Sequence, residues 1–185
     1  MMISSCSSSA PVTAHCQAEA DSFALLDQLG IPYQWVSHDA ADTMEACAAI
    51  SDALGSRICK NLFLCNRQKT AFYLLVLPED LPFRTKELSH QIGSSRLSFA
   101  PAESMEELLH CPPGSASALG LQFDTAHQVR FLMERWVYEA EGFACHPCKN
   151  LASLRIKTQD LLETFLPHTG HDVTVVDLAG AEDGK

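Results

Sequence analysis

The densest cluster of chemically capable side chains is Cys145-His146-Pro147-Cys148. A C-x-x-C pair serves as a redox dithiol when one thiol pKa is depressed, or as half of a zinc site. The redox use calls for a thioredoxin-like context with the motif at a helix N-terminus, whereas this pair precedes an expected strand. The zinc use calls for a second ligand pair, and none is spaced like one. The simpler reading is two incidental thiols beside a histidine that matters for another reason. Lys60 is the next candidate, a cation at the start of an apolar strand. It is either a surface lysine or a group that meets a phosphate. The loop from Pro112 to Gly120 is built of small residues, so backbone can approach a ligand closely there. Taken alone, it is equally a plain connector.

Several signatures are missing. There is no G-x-x-x-x-G-K-[ST] loop, no G-x-G-x-x-G loop, no H-E-x-x-H and no G-x-S-x-G. Nucleotide-phosphate, zinc-protease and serine-hydrolase chemistry therefore lack support, and nothing calls for a cofactor or a metal. His90, His110, His127, His168 and His171 fall at element ends or in polar loops. His38 ends a strand, where a structural hydrogen bond is as good an account as a functional one.

The elements that must position these residues alternate irregularly. Helices are expected at Asp21–Leu29, from Asp42 to Leu54, at Thr85–Ile92, from Pro101 to His110 and at Thr158–Leu166. Asp42 and Glu45 have capping-box spacing. Strands are expected at Tyr33–His38, Ile58–Cys65, Thr70–Leu77, Arg96–Phe99, Gln128–Met133, Ala152–Ile156 and Val173–Leu178. Asn66-Arg67-Gln68-Lys69 has hairpin length. Gly142–Asn150 reads as an irregular loop. The pattern favours α+β with a mixed, largely antiparallel sheet. One domain is expected over residues 19–180, preceded by a disordered tail over 1–18.

Composition narrows the function classes. The 185 residues carry a net charge of −10, which argues against coating nucleic acid or an anionic membrane. Residues 57–96 form the only net-basic stretch, with Arg57, Lys60, Arg67, Lys69, Arg84, Lys86 and Arg96 against three acids. A phosphate-bearing partner would meet the chain there, unless the stretch is a solvated face. No apolar run approaches membrane-spanning length. The serine-rich start has no basic region followed by an apolar one, so it is not read as a signal peptide. Eight cysteines in such a chain read as thiols of a reducing cytoplasm, with Cys47, Cys59 and Cys65 as small core residues.

Five segments in order resemble the YbaK family, also called the prolyl-tRNA synthetase-associated editing domain. They are His38 with Thr43-Met44-Glu45; Cys59-Lys60-Asn61-Leu62-Phe63-Leu64; Tyr73–Leu77 with Arg96-Leu97-Ser98-Phe99-Ala100; Pro113–Ser117 with Leu119-Gly120-Leu121; and His146-Pro147 with Asn150. The match runs from about residue 20 to 178 and looks nearest to the free-standing branch.

The resemblance implies a barrel-like mixed sheet flanked by helices. It also implies a trans-editing deacylase that hydrolyses the ester of mischarged tRNA for proline, alanine in particular, and spares prolyl-tRNA. The expected partners are the tRNA acceptor end and prolyl-tRNA synthetase, with no DNA and no membrane. Lys60 and His146 are the implied catalytic residues. Thr43, Asn61, Gly114, Ser115, Ala116, Ser117 and Asn150 are the implied substrate contacts, Asn150 chiefly as a loop holder. An aminoacyl ester is already activated, so positioned water and oxyanion donors suffice without a protein nucleophile. The chain departs from the family pattern in having Ala118 for a proline, Lys149 and Leu151 for threonines, and Glu134 near a usual aspartate. These departures leave open a non-catalytic tRNA- or synthetase-binding module, or a deacylase for serine or cysteine. A thiol redox protein is the third alternative.

Overall fold

The computed structural model describes residues 2–41 and 43–178, the side chain of Met44 excepted. Its centre is β3 (Phe72–Pro78), an apolar run buried from Tyr73 onward. A strand covered on both faces reads as a continuous apolar stretch rather than an alternating one. β2 (Cys59–Cys65) forms an antiparallel hairpin with β3, Cys59 opposite Pro78 and Cys65 opposite Phe72. β4 (Ser98–Phe99) adds antiparallel to the outer side of β2. On the other side, β5 (Val129–Glu134) runs parallel to β3, and β8 (Val173–Val176) parallel to β5. The order is β4-β2-β3-β5-β8.

A second, antiparallel sheet has the order β1-β7-β6, with β1 at Gln34–Ser37, β6 at Gly142–Cys145 and β7 at Ala152–Lys157. Among the described residues the two sheets meet at one isolated bridge, Ile58 with Ala144. The expected α+β class with a mixed, largely antiparallel sheet is present. Barrel closure is not formed, because a single bridge does not join the sheets into one ladder.

Helices cover the sheets. α1 (Gln17–Gln28) buries Phe23 and Leu26. It starts four residues earlier than the sequence suggested. Its N-cap, Cys16, makes no capping bond, and the buried Glu19 instead accepts from the His15 N–H at 2.7 Å. The expected domain boundary at residue 18 thus falls inside α1. Ahead of it, Ser4 and Ser7 exchange backbone hydrogen bonds with β1.

α2 (Met44–Leu54) is capped by Thr43, whose hydroxyl accepts from the Ala46 N–H at 3.2 Å, and closes on Gly55 in the left-handed region. The cap expected at Asp42 lies outside the described residues. α3 (Thr85–Gln91) and α4 (Ala102–Leu109) fall where the sequence put them. The loop read as irregular contains β6, whose Phe143, Ala144 and Cys145 are buried. A short α5 (Arg135–Glu139) had no sequence signal; Glu134 starts it by accepting from the Trp136 N–H at 2.7 Å.

The last helix runs through Pro167 instead of stopping at it. α6 (Thr158–Asp160) continues into a π turn (Leu161–Phe165) and then α7 (Leu166–Thr169). Pro167 stands at the start of α7, where the pattern changes from π to α. Among the described residues, no helix is long and apolar enough to cross a membrane.

Candidate functional site

One cavity of about 440 Å³ opens where the start of β2, the turn after β3, α4 and the loops before the 3-10 helix (Ala118–Phe123) and β7 converge. Lys60, Asn61, Gly114, Ala116, His146 and Asn150 line it together with Ala41, Ile58, Phe63, Glu79, Phe99 and Met105. Residues separated by up to 109 positions therefore share one concave surface. That size and mixed lining are typical of small-molecule pockets.

Lys60 is held by strand pairing. It lies opposite Leu77, one residue before β3 ends at Pro78 and the chain turns. The turn presents two carbonyls to its ammonium, Glu79 O at 2.9 Å and Leu81 O at 2.6 Å. An ammonium has three donors, so one remains for a ligand. Burial lowers the Lys60 pKa, while Asp80 and Glu79 oppose that shift. The cation is thereby aimed and rigid, unlike a solvated surface lysine.

The small-residue loop is fixed from three sides. Asn61 Oδ1 accepts from the Ala118 N–H at 3.1 Å, and its Nδ2 donates to Cys59 O at 3.2 Å. The buried Ser115 hydroxyl accepts from the Asn150 N–H at 3.0 Å. The buried Ser117 hydroxyl donates to His146 O and accepts from the Leu119 N–H at 3.1 Å. Asn150 Oδ1 accepts from the Ala41 N–H at 3.1 Å, which ties the loop before β7 to the one after β1. Gly114 sits in the left-handed region at φ 79°, which a glycine adopts without cost. Among the described residues the Gly114 and Ala116 N–H groups donate to no protein acceptor, and both residues line the cavity.

His146 belongs to a buried chain of hydrogen bonds. Its Nδ1 lies 3.0 Å from Ala152 O, which can only accept, so Nδ1 carries the proton and Nε2 the lone pair. Ser153 Oγ lies 3.1 Å from the same Nδ1 and 2.8 Å from His38 Nε2, and His38 Nδ1 donates to Asp39 O at 2.8 Å. The pattern is satisfied with the His38 ring neutral. Burial supports that by pushing the His38 pKa down.

The expected residues divide by position. Thr43 caps α2, and Ser115 and Ser117 brace the loop; none of the three lines the cavity. Ala118 is buried, and its N–H holds Asn61, a bond that a proline could not donate. Glu134 caps α5 away from the cavity. Cys145 and Cys148 are both fully buried, and burial pushes the Cys145 thiol up, which disfavours the reactive thiolate.

Three residues were assigned no role at the site from the sequence. Glu79 lines the cavity beside Lys60. Phe99, 66% exposed, stands at its mouth. Ser153 is buried on the side of β7 that also carries Arg155 and Lys157. Ser153 carried no legible signal, because the strand's alternation puts it among the polar residues.

A profile of the aminoacyl-tRNA editing domain matches residues 38–164, which include Lys60, Gly114, His146 and Asn150. The chain belongs to this editing-domain family. The chain is 30% identical over 155 residues to the prolyl-tRNA editing protein ProX of Acetoanaerobium sticklandii, covering 84% of this chain and 94% of that protein. It is 31% identical over 157 residues to the prolyl-tRNA synthetase associated domain-containing protein 1 of Xenopus laevis, covering 83% and 92%. A crystal structure of a proposed trans-editing enzyme for prolyl tRNA synthetase shares the editing-domain fold, with a TM-score of 0.66 at 16% identity over 91% of this chain and 100% of that one.

Proposed function

We propose that this editing domain acts in trans, hydrolysing the ester between a wrong amino acid and the 3′-terminal ribose of tRNA for proline, with alanine as the amino acid removed. The observation that carries this reading is the convergence of Lys60, His146 and the two loop N–H groups on one cavity whose mouth bears an exposed aromatic ring. The names borne by its relatives supply the tRNA.

The chemistry follows from the donors and acceptors. The Gly114 and Ala116 N–H groups suit the oxyanion that forms when the ester carbonyl is attacked, where preorganised donors contribute most. The remaining Lys60 donor meets the ribose or the terminal phosphate. His146 Nε2 is the lone-pair atom that can accept a proton from water or from the ribose 2′-hydroxyl. No side-chain nucleophile is required.

Phe99 offers its face to the terminal base, since base-aromatic stacking is indifferent to sequence. Arg67 and Arg96 border a depression with Ser98, and β4 connects them to Phe99 along the sheet edge. This route suits the phosphates of the acceptor end. The amino-acid side of the cavity, with Ala41, Ile58, Phe63 and Met105, favours a methyl over a hydroxyl. A second site too small for proline completes a double sieve. Prolyl-tRNA synthetase is the proposed source of the substrate, and the cytoplasm the proposed location.

Hydrolysis of alanyl-, seryl- and prolyl-tRNA for proline by the purified protein tests the proposal. Alanine is lost fast and proline is spared, and Lys60→Ala lowers kcat/KM by about 10–100-fold, the scale of one hydrogen bond to a charged group. Tight tRNA binding without turnover of any ester would replace the enzyme by a binding module. The Ala118 N–H bond to Asn61 weakens the motive for that alternative, because it stiffens the loop without a proline ring.

A further inference from the structure

Ser153 is a fully buried hydroxyl on the middle strand of the β1-β7-β6 sheet, and the proposed chemistry gives it no task. Strand pairing decides what it meets. Val36 lies opposite Ser153. His38 stands two residues beyond Val36, just past the end of β1, with its N–H on Leu151 O at 2.9 Å. On the other side of β7, Cys145 lies opposite Leu154, so the next residue, His146, comes level with Ser153. Side chains alternate between the faces of a strand, so His38, Ser153 and His146 share one face. The two rings lie either side of the hydroxyl, their centroids 5.8 Å apart. Neither Ser153 nor His38 lines the cavity, whereas His146 does.

The protons along this row can be placed one by one. Asp39 O can only accept, so His38 Nδ1 holds a proton and donates to it at 2.8 Å. Burial disfavours a charged His38, so its Nε2 keeps a lone pair. The Ser153 hydroxyl then spends its single proton on that lone pair, at 2.8 Å. What Ser153 turns toward His146 is an oxygen lone pair, 3.1 Å from Nδ1, whose proton it shares with Ala152 O at 3.0 Å. We infer that Ser153, oriented by His38, is a positioning residue for His146: it accepts from Nδ1–H and steadies the charge that grows on the ring as Nε2 takes up a proton. The inference rests on the hydrolase reading above and deepens it. A hydrogen bond from a charged donor is about twice as strong as one from a neutral donor. The contact therefore tightens as the transition state forms, and it contributes to rate rather than to substrate binding. A base held by a third group in this way is a recurring arrangement in group-transfer sites.

The test compares hydrolysis of alanyl-tRNA for proline by wild type, Ser153→Ala, Ser153→Thr and His38→Phe. Nitrogen NMR of the His146 ring, at a pH where the ring is neutral, is read on the same proteins. Wild type should show the proton on Nδ1 and the lone pair on Nε2. Ser153→Ala should lower kcat by about 10–100-fold, the scale of one hydrogen bond to a charged group, with KM unchanged. His38→Phe should also lower kcat, because the hydroxyl is then free to turn its proton toward His146. Ser153→Thr keeps the hydroxyl and should retain most of the activity. In the two impaired variants the His146 nitrogens should shift toward the average of the two tautomers. Unchanged kcat in Ser153→Ala overturns the inference while the hydrolase reading stands. A merely structural Ser153 would lower Tm and leave the ring nitrogens unmoved, which overturns it as well. A wild-type ring with its proton on Nε2 overturns it even if neither impaired variant folds. Failure of wild type to turn over the ester removes the hydrolase reading, and this inference with it.

Discussion

Replacing Ala118 with proline restores the residue that the family pattern usually has, yet the structure argues that it will harm this chain. The Ala118 N–H donates to Asn61 Oδ1 at 3.1 Å, and Ala118 is fully buried at the start of the 3-10 helix. A proline removes that donor and puts its Cδ on the line toward Oδ1, inside van der Waals contact. Asn61 must then swing away or lose its partner. Leaving a partly buried acceptor unsatisfied costs about 1–3 kcal/mol. The backbone itself tolerates the ring, because Ser117 is extended at ψ 140°. A tolerated proline returns about 0.4–1 kcal/mol through the unfolded chain. The net loss is about 1–2 kcal/mol, or about 2–8 °C in Tm for a chain of this size.

Thermal and urea unfolding of wild type, Ala118→Pro, Asn61→Ala and the double variant measure it. Ala118→Pro and Asn61→Ala should be non-additive by at least about 0.5 kcal/mol, because they break the same bond. Ester hydrolysis by Ala118→Pro should fall, since Asn61 positions the loop that holds the oxyanion donors. Equal or greater stability of Ala118→Pro, or strict additivity with Asn61→Ala, would refute the reasoning.

Other perturbations follow from named contacts. A Cβ built on Gly120 meets Leu109 O at 2.7 Å and Leu109 Cβ at 2.9 Å, so Gly120→Ala should cost about 1–3 kcal/mol in urea unfolding through overpacking against backbone. Burial depresses the His38 pKa below the ordinary histidine value of about 6.5, so the unfolded chain takes up that proton first as pH falls. The contribution is fully present above about 6.5 and is lost as pH drops toward the folded pKa. The stability gap between wild type and His38→Gln should narrow from pH 7.5 to 5.5, about the range over which a histidine titrates. Arg67→Ala with Arg96→Ala should flatten the dependence of tRNA affinity on salt, by about 0.7–0.9 in log-log slope per phosphate contact removed.

Local chemistry decides much of this protein. The apolar run from Phe72 to Pro78 makes a central strand wherever it is placed, and the polar link Asn66–Lys69 makes β2 and β3 a hairpin. Gly55 and Gly93 end their helices because glycine enters the left-handed region freely. The ordered motifs around Lys60, Gly114 and His146 carried the family, and the structure gathers those three residues in one cavity.

Local rules misplace elements whose cause lies elsewhere in the chain. β6 exists because it pairs antiparallel with the next strand, β7, Gly142 opposite Lys157 and Cys145 opposite Leu154, and its own four residues do not announce that pairing. α1 begins at Gln17 although Cys16 makes no capping bond, and the buried Glu19 holds the entering chain by accepting from the His15 N–H.

The same division runs through the site. Sequence supplies a lysine, a histidine and a flexible loop, but each has an ordinary surface explanation. Tertiary structure removes those explanations. It aims Lys60 with two carbonyls from the far end of β3, fixes the His146 tautomer with Ala152 O, and leaves Glu79 Oε1 buried without a donor. A side chain's type is set by its codon and its periodic pattern by its neighbours. Its hydrogen-bond partners are set by which strands pair, and that is decided only when the whole core closes.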